Sequence, residues 1–220
     1  MLRRAIASML VPMKLPAALL ASAALAACTS SRTGPAQAVP QTQDWRTIAT
    51  HADRARLREW RDAWVEALAK ARVAGHGAEI AAESVLLEPD SALPDVSPPA
   101  GEYRCRVTKI GAKNEGLLEY VAYPAFRCRI ALQGGELSLV KLNGSQRPIG
   151  RLFADTERRL IFLGTMQLGD ERRAYEYGAD RERDLIGVFE RIGERRWRLV
   201  FPRPHFESLL DVIELTPATP

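Results

Sequence analysis

ELSLVKLNGSQRPIGRLFADTERRLIFLGTMQL, the stretch from Glu136 to Leu168, decides the fold. It holds three apolar-rich runs, Glu136–Leu142, Arg147–Ala154 and Arg158–Leu168, separated by Asn143-Gly144 and Asp155-Thr156. Asn-Gly favours a type I′ hairpin because both central residues need positive φ. Connections this short cannot hold a crossover helix, so the strands run antiparallel. The same texture extends outward, with further strands expected at Glu102–Ile110, Glu119–Leu132, Arg172–Tyr177, Asp184–Ile192, Arg195–Phe201 and Ser208–Leu215. Gly134-Gly135, Gly169-Asp170, Gly178 with Asp180, and Gly193-Glu194 supply the remaining turns. A meander of eight or nine strands loses its exposed edges by closing, so the sequence predicts a barrel, with a curled open sheet as the alternative. The strands are short, studded with arginine and without aromatic girdles, which argues against a membrane barrel.

Two of these strands carry matching cysteines, Tyr103-Arg104-Cys105-Arg106-Val107 and Phe126-Arg127-Cys128-Arg129-Ile130. Alternation puts each sulfur on the apolar face and the flanking arginines on the solvated one. Side by side with the cysteines opposed, the strands allow a Cys105–Cys128 disulfide, and closing that loop stabilises by roughly 3 kcal/mol in the chain-entropy model. A redox or metal pair is the rival reading, but CxxC spacing is missing and no histidine is near in sequence.

Upstream the period changes from two to that of a helix. Thr50-x-x-Asp53 resembles a capping box, and Leu57, Trp60, Trp64, Leu68 and Ala71 then form one stripe that stops at Gly75 and Gly77. The tryptophans read as anchors that pack the helix on the next layer. A shorter helix is expected over Ala78–Ser84, and the four prolines between Glu88 and Ala100 mark an ordered linker. The fold class is therefore α+β, a helical segment packed on a mainly antiparallel barrel.

The amino terminus reads as an address. Met1 to Ala27 has Arg3, Arg4 and Lys14 but no acid, and Leu15 to Ala27 contains only Leu, Ala, Pro and Ser. As a helix that run rises about 20 Å, short of a bilayer's hydrocarbon core. A basic flank, a short apolar stretch and small residues make a secretory signal. Leu25-Ala26-Ala27-Cys28 resembles a bacterial lipobox, which implies cleavage before Cys28 and acylation of that cysteine, with Thr29 directing the protein to the outer membrane. An ordinary cleaved signal is the alternative, and Met13 is an alternative start. Thr29 to Gln43 is polar and has Arg32 as its single charge, as expected of a flexible tether. The chain thus divides into a leader (1–27), a tether (28–43), a helical segment with its linker (44–100) and the β-domain (101–217).

Removing the leader changes the charge argument. Three of the 31 basic residues and none of the 27 acidic ones precede Cys28, leaving 28 against 27, or +1. That balance gives no electrostatic basis for nucleic-acid binding. His51, His76 and His205 lie at no metal-binding spacing, and no phosphate loop or GxSxG elbow is present, so no metal or cofactor is implied. The turn at Lys141–Pro148 offers Ser145 as a nucleophile or Arg147 as an anion clamp, against a plain reading as a hairpin with locally satisfied side chains. In Arg196-Trp197-Arg198 and Pro202–Ser208, Arg203 and His205 are candidate binding groups, and His205 is the best acid–base candidate. His205, Ser208 and Asp211 have the residue types of a hydrolase triad, but crowd into seven positions, whereas working triads converge from separate elements.

Taken together, Asp44-Trp45, Arg56-Leu57 with Trp60 and Ala63-Trp64, the two cysteine strands, Tyr123-Pro124, Gly144–Pro148, Phe162-Leu163-Gly164 and Glu190–Gly193 with Trp197-Arg198-Leu199 resemble the family called domain of unknown function 4893, found in alphaproteobacteria. The resemblance covers about Asp44 to Pro217 and implies one exported module; it brings no activity, cofactor or catalytic residue. The expected barrel also resembles, at fold level alone, small periplasmic barrels of the lipocalin or protease-inhibitor kind. These readings lead to an outer-membrane lipoprotein facing the periplasm, held by its lipid anchor and binding an envelope protein or a small apolar ligand. An envelope hydrolase centred on His205 or Ser145 and a periplasmic protein inhibitor are the alternatives.

Overall fold

Alternating inward and outward side chains along residues 101–217 are realised as nine antiparallel strands. The computed structural model describes residues 43–219, and Cys28, the leader and all but the last residue of the tether lie outside the described residues. The strands are β1 (Gly101–Ala112), β2 (Tyr120–Ala122), β3 (Phe126–Gln133), β4 (Glu136–Lys141), β5 (Gln146–Thr156), β6 (Arg159–Leu168), β7 (Asp184–Gly193), β8 (Arg196–Pro202) and β9 (Ser208–Pro217). Eight of them, β1 and β3 to β9, close into a barrel: each bonds to the next, and β9 returns to β1 in a register running from Tyr103↔Pro217 to Ala112↔Ser208. The extra strand is β2. β1 pairs with β3 over Gly101–Cys105, the two then part, and β2 takes β1 over Thr108–Ile110.

Two of the expected strands need correction. The run Glu119–Leu132 is two strands, because Tyr123 to Ala125 leave the ladder at Pro124, which has no N–H to donate. Arg172–Tyr177 is not a strand, since β6 pairs directly with β7 and leaves no slot between them. Its apparent alternation has no face to bury: Arg172, Arg173, Tyr175 and Glu176 are exposed. Tyr177 instead ties the loop to the helices, its hydroxyl donating to Asp53 and accepting the Thr50 N–H.

The helices are α1 (Trp45–Ile48), α2 (His51–Arg58), α3 (Trp60–Val73) and α4 (Gly77–Ala82), followed by a 3-10 turn over Ser84–Leu87. Thr50 caps α2 by accepting the Asp53 N–H at 3.1 Å. The single helix expected there breaks at Glu59 (φ −93°, ψ 10°), which lets α2 pack on β7 while α3 crosses β1 and β9. Along α3, Ala63, Trp64, Ala67 and Ala71 are wholly buried. Gly111 sits beneath them with φ +73°, and a Cβ there would lie 2.9 Å from the Ala67 Cα. Small residues on the helix therefore meet a bare backbone on the strand, and the layers close tightly.

Two apolar clusters result. One lies between the helices and the barrel's outer face and includes Trp64, Ile110, Ile161, Val200 and Val212. The other fills the barrel interior, with Tyr103, Cys105, Cys128, Ile130, Phe162, Trp197 and Leu215. The proline-rich linker covers one end of that interior: Val96 joins the cluster, Trp197 donates its indole N–H to the Val96 carbonyl, and Tyr103 donates to the Pro99 carbonyl.

Cys105 and Cys128 are bonded, with Cα atoms 5.9 Å apart. The sulfurs face inward as the alternation requires, but the cysteines are not directly opposed. Register sets Cys105 against Phe126 and Tyr103 against Cys128, so the bridge is diagonal across one rung of the ladder. On the outer face Arg198 is fully buried, paired with Glu190 at 2.8 Å and donating to the carbonyls of Val85, Leu86, Glu88 and Pro89. It serves four carbonyls around the 3-10 turn, two of which, those of Val85 and Glu88, also accept the Ser91 hydroxyl.

Urea unfolding should show Cys105→Ala/Cys128→Ala less stable than the parent by roughly 3 kcal/mol. Arg198→Met, which leaves the buried Glu190 carboxylate without its partner, should cost about 3–5 kcal/mol in the same assay.

Candidate functional site

Three glycines decide how the lumen is divided. Gly150 and Gly164 are cross-strand partners, and a Cβ on Gly150 would lie 2.5 Å from the Phe162 ring and 2.8 Å from the Gly164 Cα. A Cβ on Gly187 would meet the Phe201 ring at 2.9 Å. The missing side chains make room for Phe162 and Phe201, whose rings meet edge to face at 5.4 Å. On one side of these rings, toward the Val96 linker, the barrel is packed with apolar residues. Toward the opposite end is a cavity of about 310 Å³.

Its wall is apolar at Val107, Phe126, Met166, Phe201 and Ile213, and polar at Lys109, Lys141, Ser145, Gln146, Glu207 and Asp211. Lys109 and Asp211 are register partners on β1 and β9, and their side chains meet at 2.9 Å inside the barrel. Glu207 reaches the same ammonium at 3.1 Å. Burial disfavours the charged lysine, but the two carboxylates outweigh it and hold Lys109 above its ordinary pKa. All four oxygens of these carboxylates are engaged: Asp211 also accepts the Ser208 hydroxyl, and Glu207 also accepts the Gln146 amide N–H at 3.2 Å.

Lys141, the last residue of β4, is different. It is 4% exposed, and its ammonium donates to the carbonyls of Asn143 and Gln146, both at 2.9 Å, while lying 3.6 Å from the centre of the Phe126 ring. Among the described residues no carboxylate pairs with it. Burial first, then the charges of Arg147 and Lys109, pull its pKa down to about 8. The turn makes room for this ammonium: Gly144 has φ +86°, and a Cβ there would lie 2.7 Å from the Lys141 Nζ and 2.9 Å from Phe126. The Asn-Gly pair thus shapes the cavity as well as the hairpin.

The residues singled out from sequence fall in different places. Ser145 is exposed at the cavity wall, and among the described residues its hydroxyl has no hydrogen-bond partner. His205 does not line the cavity; it is exposed on the loop before β9, against Phe206 and 3.7 Å from Glu182. Asp211 is committed to Lys109 and Ser208. Arg147 donates to the carbonyls of Gly144, Gly169 and Glu171, knitting two loops together beside the site. Arg203 points to the helices and pairs with Glu59 and Glu66. Among the described residues no cluster of potential metal ligands exists.

Lys109 and Lys141 were not singled out from sequence, yet a signal was there. The chain has 5 lysines against 26 arginines, and both of these stand in phase with inward apolar residues, Lys109 after Tyr103, Cys105 and Val107, Lys141 after Leu137 and Leu139.

The family model for a domain of unknown function, DUF4893, matches residues 45–215, and the chain belongs to that family. Neither a curated protein nor a solved structure matches it.

The position of Lys141 gives a pH test. A lysine near 8 when folded and near 10.4 when unfolded binds fewer protons in the folded chain between those values, so folding gains stability as pH rises through that window. Measured by denaturant at pH 7, 8, 9 and 10, the protein should gain stability relative to Lys141→Met above pH 8. A difference that stays flat would show that this amine titrates normally.

Proposed function

We propose that this DUF4893 member is a membrane-anchored binding protein of the cell envelope that takes a small ligand into the open half of its barrel. The observation that carries the reading is the cavity of about 310 Å³, floored by Phe201 and walled by apolar side chains with a few convergent polar groups. Small-molecule sites have this size and composition, and small barrels hold ligands where side chains leave the lumen open. Ligand entry at one end fits a barrel whose other end is packed and covered by the Val96 linker.

Anchoring rests on the leader and on Cys28. Acyl chains on that cysteine, each CH2 contributing about 0.8 kcal/mol, would hold the protein at the periplasmic face of the outer membrane. The disulfide is consistent with an oxidising compartment. A hydrolase centred on Ser145 would share the same cavity, but the structure supplies its hydroxyl with no basic partner among the described residues.

Native mass spectrometry of the protein released from its own envelope should find a chain starting at an acylated Cys28, with a small molecule bound at 1:1. A full-length, unacylated chain would remove the anchor from this reading. A chain free of small molecules but captured with one protein partner would replace the ligand by that partner.

A further inference from the structure

We infer that the cavity selects an amphipathic anion, with a carboxylate head set against the Lys141 ammonium and a short hydrocarbon body against Val107, Met166 and Ile213. The inference rests on the cavity being a ligand site and names the class of ligand.

The charges that line the cavity sum to zero, but their local pairing favours an anion at Lys141. Four ionised groups line the cavity: Lys109, Lys141, Glu207 and Asp211. Both carboxylates are already paired with Lys109, and each of their oxygens accepts a hydrogen bond or ion pair, so a cationic ligand would compete with an ammonium already in place. Among the described residues, Lys141 has two carbonyls and a ring face as its partners, and two of its three N–H groups are used. A buried ammonium without a counter-charge is costly, and an anion from outside would relieve that cost. The Arg147 guanidinium beside the site adds positive potential, as its effect on Lys141 shows. Ser145 places a free hydroxyl on the same wall, able to donate to a second oxygen of the head group.

Size limits the rest of the ligand. The cavity has room for roughly ten water-sized groups, so a carboxylate with about eight carbons fits and a long acyl chain does not. The apolar part of the wall matches such a body, and the Phe162–Phe201 pair stops it from going deeper.

The test is calorimetric titration of the full-length Cys28→Ser chain, so that no attached acyl group competes, with octanoate, octanol and octylammonium. Octanoate should bind at 1:1, octanol about tenfold or more weakly, and octylammonium not at all. In Lys141→Gln the preference for octanoate over octanol should vanish while octanol binding remains. In the unaltered cavity, raising the pH from 7 to 9.5 should weaken octanoate and leave octanol unchanged, a readout that does not depend on whether the variant folds. Octanol binding as well as octanoate at pH 7, or octanoate indifferent to pH, would overturn the anion inference while the ligand site stands. If none of the three binds, the ligand-site reading itself is overturned.

Discussion

Hydrogen bonding between β9 and β1 is the constraint on which the other features depend. Nine register pairs from Tyr103↔Pro217 to Ala112↔Ser208 join the last strand to the first, and without them the sheet would have two faces and no interior. The same ladder sets Lys109 opposite Asp211 on the inside. On the outside it aligns Ile110 with Leu210, next to Val212, as part of the surface on which α3 lies. One pairing therefore supplies the cavity's fixed ion pair and the platform for the helices. Because these two strands are far apart in sequence, neither feature can form before β9 has been made.

Within the closed barrel, packing and opening are divided by side-chain size. Gly150, Gly164 and Gly187 remove bulk at mid-height, and Phe162 and Phe201 use the space to seal one half. The other half is left with polar groups that a purely structural core would replace by apolar ones. A buried lysine held by two carbonyls stabilises a fold less than a leucine of similar volume would, because its charge is desolvated without a counter-ion. Two neighbouring features maintain the arrangement, the side-chain-free Gly144 and the Arg147 bonds to three loop carbonyls. The site is built from a hairpin turn and a strand end, which is where a barrel can hold an irregular constellation without breaking its ladders.

Most of the β-domain was legible because its signals are local. Asn143-Gly144 and the other turn pairs fix where strands end, and the alternation fixes which side chains face in. Tyr103, Cys105 and Val107 were placed together on the apolar face, and all three are buried. What depended on register was not legible: the diagonal cysteine bridge needs the exact rung at which β1 meets β3. Tyr123-Pro124 within an apolar run concealed a strand break, and Arg172–Tyr177 imitated a strand although most of its side chains are exposed and only Tyr177 packs on the core. Arg198 stood out within Arg196-Trp197-Arg198, but its role did not, since the carbonyls it serves belong to a turn more than a hundred positions earlier. The site had the same difficulty. Ser145 was found from residue type, whereas Lys109 and Lys141 matter through where the barrel places them.

The diagonal bridge also sits at the rung where β1 leaves β3, since pairing between them ends at Cys105↔Phe126 and β1 then turns to β2. Phe126 and Val107, on the two sides of that fork, are both part of the cavity wall. The covalent link therefore lies at the fork where β1 and β3 part, beside the cavity wall. With free thiols, backbone hydrogen bonds alone would hold the two strands together at that fork.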